Sequence, residues 1–127
     1  MNIAAFAQRC GLSAHTLRYY DRIRLLRSVA RRTNGHREFG PADVEWVEFL
    51  HRLRSSGMGI AEMQHYAALR AQGDTTLALR RALLDAHAAR IEGDLQQRQI
   101  QLARLREKIR IYDTMIATAD RTRRGAA

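Results

Sequence analysis

The sequence has few of the residues that support disulfide-linked, strand-rich or membrane-spanning folds. Its 127 residues include a single cysteine, Cys10, so the chain cannot form a disulfide framework. It also has a single proline and only 6% aromatic residues, which favours helices over strands. No segment reaches the roughly 20 apolar residues of a membrane span, and the first residues do not resemble a secretory signal. We therefore expect a cytoplasmic protein that makes no membrane contact.

The residues of metal sites and catalytic centres are not grouped in this sequence. His51, His65 and His87 lack cysteine or carboxylate companions at ligand spacing. Cys10 belongs to an apolar helix face, where burial raises the pKa of a thiol and makes it a poor redox sensor. No nucleophile and base form a recognisable pair. The sequence therefore predicts no metal, no cofactor and no enzymatic activity.

Positive charge is abundant and is concentrated near the N-terminus. The formal net charge is +9, and residues 9–37 contain eight arginines and one acidic residue, Asp21. Such a patch suits a polyanionic partner, because neutralising phosphates releases counterions. The alternative is an ordinary solvated basic surface.

Residues 3–20 have the pattern of a helix-turn-helix. Apolar residues at helical spacing predict the buried face of a first helix: Ile3, Phe6, Ala7 and Cys10. Gly11 is suited to end this helix in the left-handed conformation. Ser13 is suited to cap the next helix. Two short helices joined by a glycine turn are typical of DNA-reading proteins.

The second helix of this pair has two chemically different faces. Leu17 and Tyr20 are expected to face the first helix. The opposite face carries hydrogen-bonding side chains at helical spacing, which suit a DNA major groove: His15, Arg18, Tyr19 and Arg22. We name these four residues the recognition stripe.

A small β-hairpin is predicted after the second helix. Asn34-Gly35 is a strong signal for a two-residue hairpin turn. Arginines lie on both arms of this predicted wing, so we expect it to contact phosphates.

Two further helices and then one long helix are predicted beyond the wing. Gly40 to Asp43 should begin a third helix, and a fourth should run from about Ile60 to Arg70. From Thr75 to about Thr118 the chain has no proline, which allows a helix of roughly 42 residues. Its heptad positions are apolar except for Arg98: Leu84, Ala88, Ile91, Leu95, Arg98, Leu102, Leu105, Ile109, Tyr112 and Ile116.

This heptad stripe is too long for the short helices to cover. It therefore predicts a homodimer through a coiled coil. The dimerisation residues are expected to be Leu84, Ile91, Leu95, Leu102, Leu105, Ile109 and Tyr112. The alternative is a long helix that folds back on its own domain.

Several local strings together resemble the MerR family of bacterial transcriptional regulators. They are residues 16–21 (TLRYYD), 25–26 (LL), 32–37 (RTNGHR), 43–44 (DV) and 53–58 (LRSSGM). The chain is most similar to the branch without metal-binding cysteines, which includes regulators linked to aldehyde and thiol stress. It departs from the family at Arg24, where glycine is usual, and at His36 and Phe39, where tyrosine is common.

The resemblance implies a mostly α fold with a winged helix-turn-helix and a long dimerisation helix that forms an antiparallel coiled coil. We expect a DNA-binding domain in residues 1–73, a coiled-coil helix in 74–118 and a flexible basic tail in 119–127. A homodimer would bind a pseudo-palindromic promoter operator and distort the DNA, realigning the promoter elements for RNA polymerase. The alternative is an architectural DNA-binding protein without a defined operator.

The side chains expected to contact DNA lie in the turn, the second helix and the wing. They are Ser13, His15, Thr16, Arg18, Tyr19, Arg22, Arg31, Arg32, His36, Arg37 and Phe39. The residues after the long helix are too few for a ligand-binding domain, so a small-molecule effector would have to bind beside that helix. Candidates for its pocket are Trp46, Met63, Tyr66 and His87, and core packing is the alternative for all four.

Overall fold

The computed structural model describes residues 1–26 and 38–125, and all regular secondary structure within them is helical. The predicted wing falls on residues 27–37, outside the described residues. A short 3₁₀ turn, Asp74–Thr76, precedes the last helix. The α-helices are α1 (Ile3–Cys10), α2 (Ala14–Arg22), α3 (Pro41–Ser55), α4 (Ile60–Ala71) and α5 (Leu77–Gly125).

The chain divides into two compact units, Met1–His87 and Ala88–Ala127. In the first unit α1 packs against α2 and α3, and α3 packs against α4. The centre of this unit is apolar and fully buried, with Phe6, Leu17, Leu50 and Met63 among its side chains. Burial of this apolar surface is the main force that holds the short helices together.

The starts of α1 and α3 follow from local capping. The Asn2 Oδ1 accepts a hydrogen bond from the Ala5 N–H at 2.9 Å, which satisfies one free donor of the first turn of α1. At α3, Pro41 occupies the first turn, and the Asp43 carboxylate accepts a hydrogen bond from the Gly40 N–H at 2.9 Å. The predicted start of the third helix is confirmed.

The long helix α5 contributes to both units. Near its start, Leu83 and Leu84 pack partly against the core of the first unit, and His87 is buried. The predicted domain boundary after residue 73 therefore falls inside the first compact unit, because these early turns of α5 complete its core. The helix also runs past Thr118 to Gly125, so residues 119–125 continue the helix in place of the expected tail.

The second unit consists of the helical residues from Ala88 onward. Several large apolar side chains along it are about half exposed, including Leu105 at 64% and Ile116 at 58%. Within the described residues, no helix combines the length and the apolar character that crossing a membrane requires.

Candidate nucleic-acid interface

The turn between α1 and α2 is built around Gly11. This residue has φ of 70°, in the left-handed region where glycine has no steric penalty. The Leu12 N–H donates to the Ala7 carbonyl at 3.0 Å, and the Gly11 N–H donates to the Gln8 carbonyl at 3.3 Å. These two bonds form a Schellman motif that ends α1 and turns the chain toward α2. The predicted helix end at Gly11 is confirmed.

Ser13 and Thr16 form the start of α2. The Ser13 Oγ accepts a hydrogen bond from the Thr16 N–H at 3.0 Å and lies 3.0 Å from the Thr16 Oγ1. The predicted N-cap at Ser13 is confirmed. The bond between the two hydroxyls uses only one of their two hydrogens, so the other hydrogen can still be donated to an acceptor on DNA while the cap is kept.

The two faces of α2 differ as predicted. Leu17 is fully buried and Tyr20 is 4% exposed, and both belong to the core of the first unit. Burial raises the pKa of the Tyr20 phenol. The nearby Arg54 charge opposes this increase and Tyr19 adds to it. The phenol therefore stays neutral. All four residues of the recognition stripe are exposed.

The recognition stripe combines cations with an aromatic ring. Tyr19 is 36% exposed, and the Arg22 guanidinium carbon lies 5.7 Å from the centre of its ring. This cation–π contact orients both side chains. Arg18 and His15 lie on the same face, so this face presents hydrogen-bond donors to solvent, while Asp21, the single carboxylate of α2, is partly buried. Such a surface can contact phosphates and the guanine edge.

The turn after α2 is anchored by side chains from α3 and α4. The buried Trp46 donates its indole N–H to the Leu25 carbonyl at 2.9 Å. Gln64 donates its amide N–H to the Ile23 carbonyl at 3.0 Å. The sequence pattern predicts Trp46 only as a core or pocket residue and gives no reason to single out Gln64. The apolar periodicity of α4 carries no signal for a side chain that supports a turn 41 residues away.

Phe39 does not belong with the predicted DNA-contacting side chains. Its ring is 3% exposed and stacks on Phe6 of α1, with the two ring centres 4.1 Å apart. The Phe39 backbone also pairs with Met1, since the Met1 nitrogen donates to the Phe39 carbonyl at 2.8 Å. Phe39 therefore fixes the segment that leads into α3 to α1. Four other predicted contacts lie outside the described residues: Arg31, Arg32, His36 and Arg37.

The four residues considered for an effector pocket are all buried in the first unit. The Trp46 and Tyr66 rings stack with centres 5.9 Å apart, and the Arg70 guanidinium carbon lies 4.2 Å from the Trp46 ring centre. Met63 is fully buried. The His87 Nε2 lies 2.8 Å from the Ser56 Oγ. These contacts support core packing, the alternative to an effector pocket for these four residues.

Cys10 and the histidines do not assemble into a site within the described residues. Burial is the main cause that raises the pKa of the partly buried Cys10 thiol; the Glu48 carboxylate adds to the increase and Arg9 opposes it. No group of three or more histidine, cysteine or acidic side chains in residues 1–26 and 38–125 is placed to hold a metal ion.

Residues 1–69 match the family model of the MerR HTH family regulatory proteins. This chain belongs to the MerR family. The match covers α1, α2, α3 and most of α4, so it includes the recognition stripe and the turn behind it.

Known transcriptional regulators resemble this MerR-family chain over different lengths. The HTH-type transcriptional regulator AdhR of Bacillus subtilis (strain 168) is 39% identical over 84 residues, which are 66% of this chain and 60% of that regulator. A MerR family transcriptional regulator from Listeria monocytogenes has a similar structure, with a TM-score of 0.80 and 35% identity over 94% of this chain and 91% of that one.

A third relative was solved together with DNA. HiNmlR, described as a MerR family regulator lacking the sensor domain and bound to promoter DNA, has a TM-score of 0.73 and 29% identity. The alignment covers 91% of this chain and 92% of HiNmlR. These similarities confirm the predicted fold class, a mostly α protein with an N-terminal helix-turn-helix and a long C-terminal helix. They also identify this chain as a transcriptional regulator.

Proposed function

We propose that this MerR-family regulator acts in the cytoplasm and binds, as a homodimer, a pseudo-palindromic operator in promoter DNA. The dimer distorts the duplex and so controls transcription by RNA polymerase at that promoter. The observation that carries the proposal is the recognition stripe, a cationic, exposed helix face on a buried support. Residues 1–73 bind DNA, and residues 74–118 form the dimerisation helix.

The chemistry of α2 supports the choice of DNA as partner. Leu17 and Tyr20 anchor the helix in the core, so Arg18 and Tyr19 project from a fixed element. A fixed helix loses little backbone conformational entropy when it binds, which favours a defined operator over a nonspecific surface. Arg18 is the strongest candidate, because arginine can bond a guanine edge or a phosphate through two parallel hydrogen bonds. The predicted wing residues Arg31, Arg32, His36 and Arg37 would add phosphate contacts.

The exposed apolar face of α5 supports the homodimer. Leu95, Leu105 and Ile109 are each more than half exposed, at 57%, 64% and 57%. A second copy of the same helix would bury this heptad face, since a and d residues pack into holes of a facing helix. The remaining predicted dimer residues from Ile91 onward are Ile91, Leu102 and Tyr112. Leu84 already packs partly within its own unit.

The DNA-bound relative supports a promoter as the target. HiNmlR lacks a sensor domain and binds promoter DNA, and it aligns with 91% of this chain. Distortion of the DNA provides a route to control transcription, because duplex shape determines how well polymerase engages both promoter elements.

Binding of wild type and Arg18→Ala to the DNA flanking the regulator's own gene tests the proposal. In a gel-shift titration at fixed salt, the wild type should bind this DNA more tightly than a scrambled duplex. Arg18→Ala should lose about 1–3 kcal/mol of specific binding free energy. Footprinting should show two protected half-sites about one helical turn apart.

Arg104→Ala is the matched control, because it removes the same charge from an exposed position on α5. It should bind within about twofold of the wild type, since Arg104 is remote in sequence from the recognition stripe. Equal binding by Arg18→Ala and wild type would contradict the assigned contact. Equal affinity of the wild type for operator and scrambled DNA would favour the architectural alternative.

A further inference from the structure

The turn after α2 contains a backbone conformation that is unusual for its residue. Arg24 has φ of 67°, and it is the only residue other than glycine with positive φ among residues 1–26 and 38–125. The left-handed region brings the Cβ of an L-residue close to the following carbonyl oxygen. Arginine at this position therefore costs conformational free energy that glycine would avoid.

The hydrogen bonds of this turn define the position as the left-handed end of α2. The Leu25 N–H donates to the Tyr20 carbonyl at 2.8 Å, and the Arg24 N–H donates to the Asp21 carbonyl at 3.0 Å. This is the same Schellman pattern that ends α1 at Gly11. Arg24 takes the place where the motif most often has glycine.

The other helix ends of the same unit provide an internal comparison. Gly57 ends α3 with φ of 93°, and Gly73 follows α4 with φ of 92°. A Cβ added at Gly11, Gly57 or Gly73 would meet no atom within 4 Å, so the backbone conformation alone favours glycine there. Within residues 1–26 and 38–125, glycine therefore occupies three left-handed ends, and arginine occupies the one beside the recognition stripe.

The backbone around Arg24 is also held in place by side chains of α3 and α4. Trp46 donates to the Leu25 carbonyl and Gln64 donates to the Ile23 carbonyl, so the carbonyls of the residues on both sides of Arg24 are anchored. Leu25 and Leu26 next to it are buried, whereas Arg24 itself is exposed. The described part of the chain contains no ion pair or hydrogen bond of the Arg24 guanidinium. An exposed cation on a rigid turn is well placed to bind an external anion.

We propose that Arg24 is an additional DNA-backbone contact of this regulator, in which its guanidinium binds a phosphate beside the base pairs that face α2. This inference rests on the proposed DNA-binding function. Arg24 lies two residues beyond Arg22, at the end of the recognition helix, and shares the basic segment of residues 9–37. The backbone cost is tolerated because the side chain contributes to DNA affinity and not to the fold.

Arg24→Gly separates the two effects because they have opposite signs. The variant should have a melting temperature about 4 °C higher than that of the wild type, since glycine relieves the left-handed strain. It should bind DNA roughly tenfold more weakly at about 0.1 M salt, on operator and scrambled duplex alike, because binding to a phosphate carries no sequence information. Each subunit of the variant would neutralise one phosphate fewer, so the slope of log K against log salt should become shallower by about 1.8 for the dimer.

Arg24→Lys is the matched variant, because it retains the charge and the side-chain Cβ. It should bind DNA within about threefold of the wild type and show no gain in melting temperature. Circular dichroism would establish that all variants keep the same helix content at equal protein concentration.

Two results would overturn this inference. One is an unchanged affinity and salt slope in Arg24→Gly, and the other is a melting temperature that does not rise. The comparison also separates this inference from the proposed function. A wild type that prefers the operator, together with an Arg24→Gly variant that binds equally well, rejects only the role of Arg24. A wild type that binds no DNA rejects both.

Discussion

At the scale of single residues, the polar side chains of α2 and its N-cap have two roles. Some stabilise the start of the helix, and others are exposed and available to bind DNA. Ser13 and Thr16 satisfy each other and the first turn of the helix. Arg18 and His15 are exposed. Removal of Ser13 should therefore reduce stability and DNA binding together, whereas removal of Arg18 should affect binding alone.

Phe39 provides a residue-scale prediction that separates a core role from a DNA role. Phe39→Ala removes a ring that is stacked on Phe6 and should lower the free energy of unfolding by about 3–5 kcal/mol. Chemical denaturation monitored by circular dichroism measures this decrease. The folded fraction should retain wild-type operator affinity.

Phe39→Leu is the control, since it keeps most of the buried apolar volume and should lose much less stability. Unchanged stability of Phe39→Ala together with weaker operator binding would contradict the core role and would support the DNA contact that the sequence predicts for Phe39.

The prediction for Phe39 was wrong for a physical reason. In the sequence, Phe39 follows directly on the basic arm of the predicted hairpin, and the local pattern groups it with that arm. Its burial depends on Phe6, which is 33 positions earlier in the sequence, and local pattern contains no information on that contact. Leu17 and Tyr20 were placed correctly because helical periodicity alone determines which side of α2 they occupy.

At the scale of elements, the loop between α3 and α4 is tied to the first turns of α5. The Ser56 Oγ donates its single hydrogen to the Leu53 carbonyl at 2.8 Å, so it accepts a hydrogen bond from the His87 Nε2 at 2.8 Å. His87 is 6% exposed. This contact links the DNA-binding part of the chain to the start of the long helix.

Ser56→Ala tests that link. The substitution removes an acceptor of the His87 N–H, and because Ser56 is exposed and water can replace it, the free energy of unfolding should fall by about 0.5–1.5 kcal/mol. Thermal and urea unfolding at equal protein concentration measure the effect.

The adjacent Ser55→Ala is the matched control, because Ser55 is exposed like Ser56 but is the last residue of α3, one position before the serine that contacts His87. It should change stability by less than about 0.5 kcal/mol. Equal stability of Ser56→Ala and Ser55→Ala would show that the Ser56 bond does not hold the loop to α5.

The ends of the elements were predictable to different degrees. Gly11, Ser13 and Pro41 define boundaries through local backbone chemistry, and the structure has them at those positions. The C-terminal end of α5 was predicted too early. Residues beyond Thr118 contain no glycine or proline before Gly125, so nothing in the chain opposes continuation of the helix.

At the scale of the whole molecule, the proposed dimer depends on the heptad face of α5. Leu105→Asp should place a carboxylate in the apolar interface of each subunit and raise the dimer dissociation constant by about 100-fold or more. Sedimentation equilibrium at micromolar concentration should then find mostly monomer. The melting temperature of the wild type should rise with protein concentration, as it does for any linked association.

Leu79→Asp is the matched control for this prediction. Leu79 is 58% exposed, close to the 64% of Leu105, but lies off the heptad face. It should leave the dimer intact. A dimeric mass for Leu105→Asp, or dissociation by both variants, would contradict an interface at the predicted face.

The sequence by itself determined the helical elements, the recognition stripe, the heptad face and the resemblance to the MerR family. These features follow from capping, from helical periodicity and from short strings, all of which act over a few residues. Only the tertiary structure decided that Phe39 belongs to the core, that Trp46 and Gln64 anchor the turn after α2, and that Arg24 is held in a left-handed conformation. The burial of Phe39 and the anchoring of the turn that contains Arg24 depend on atoms that are distant in sequence and come together only in the fold.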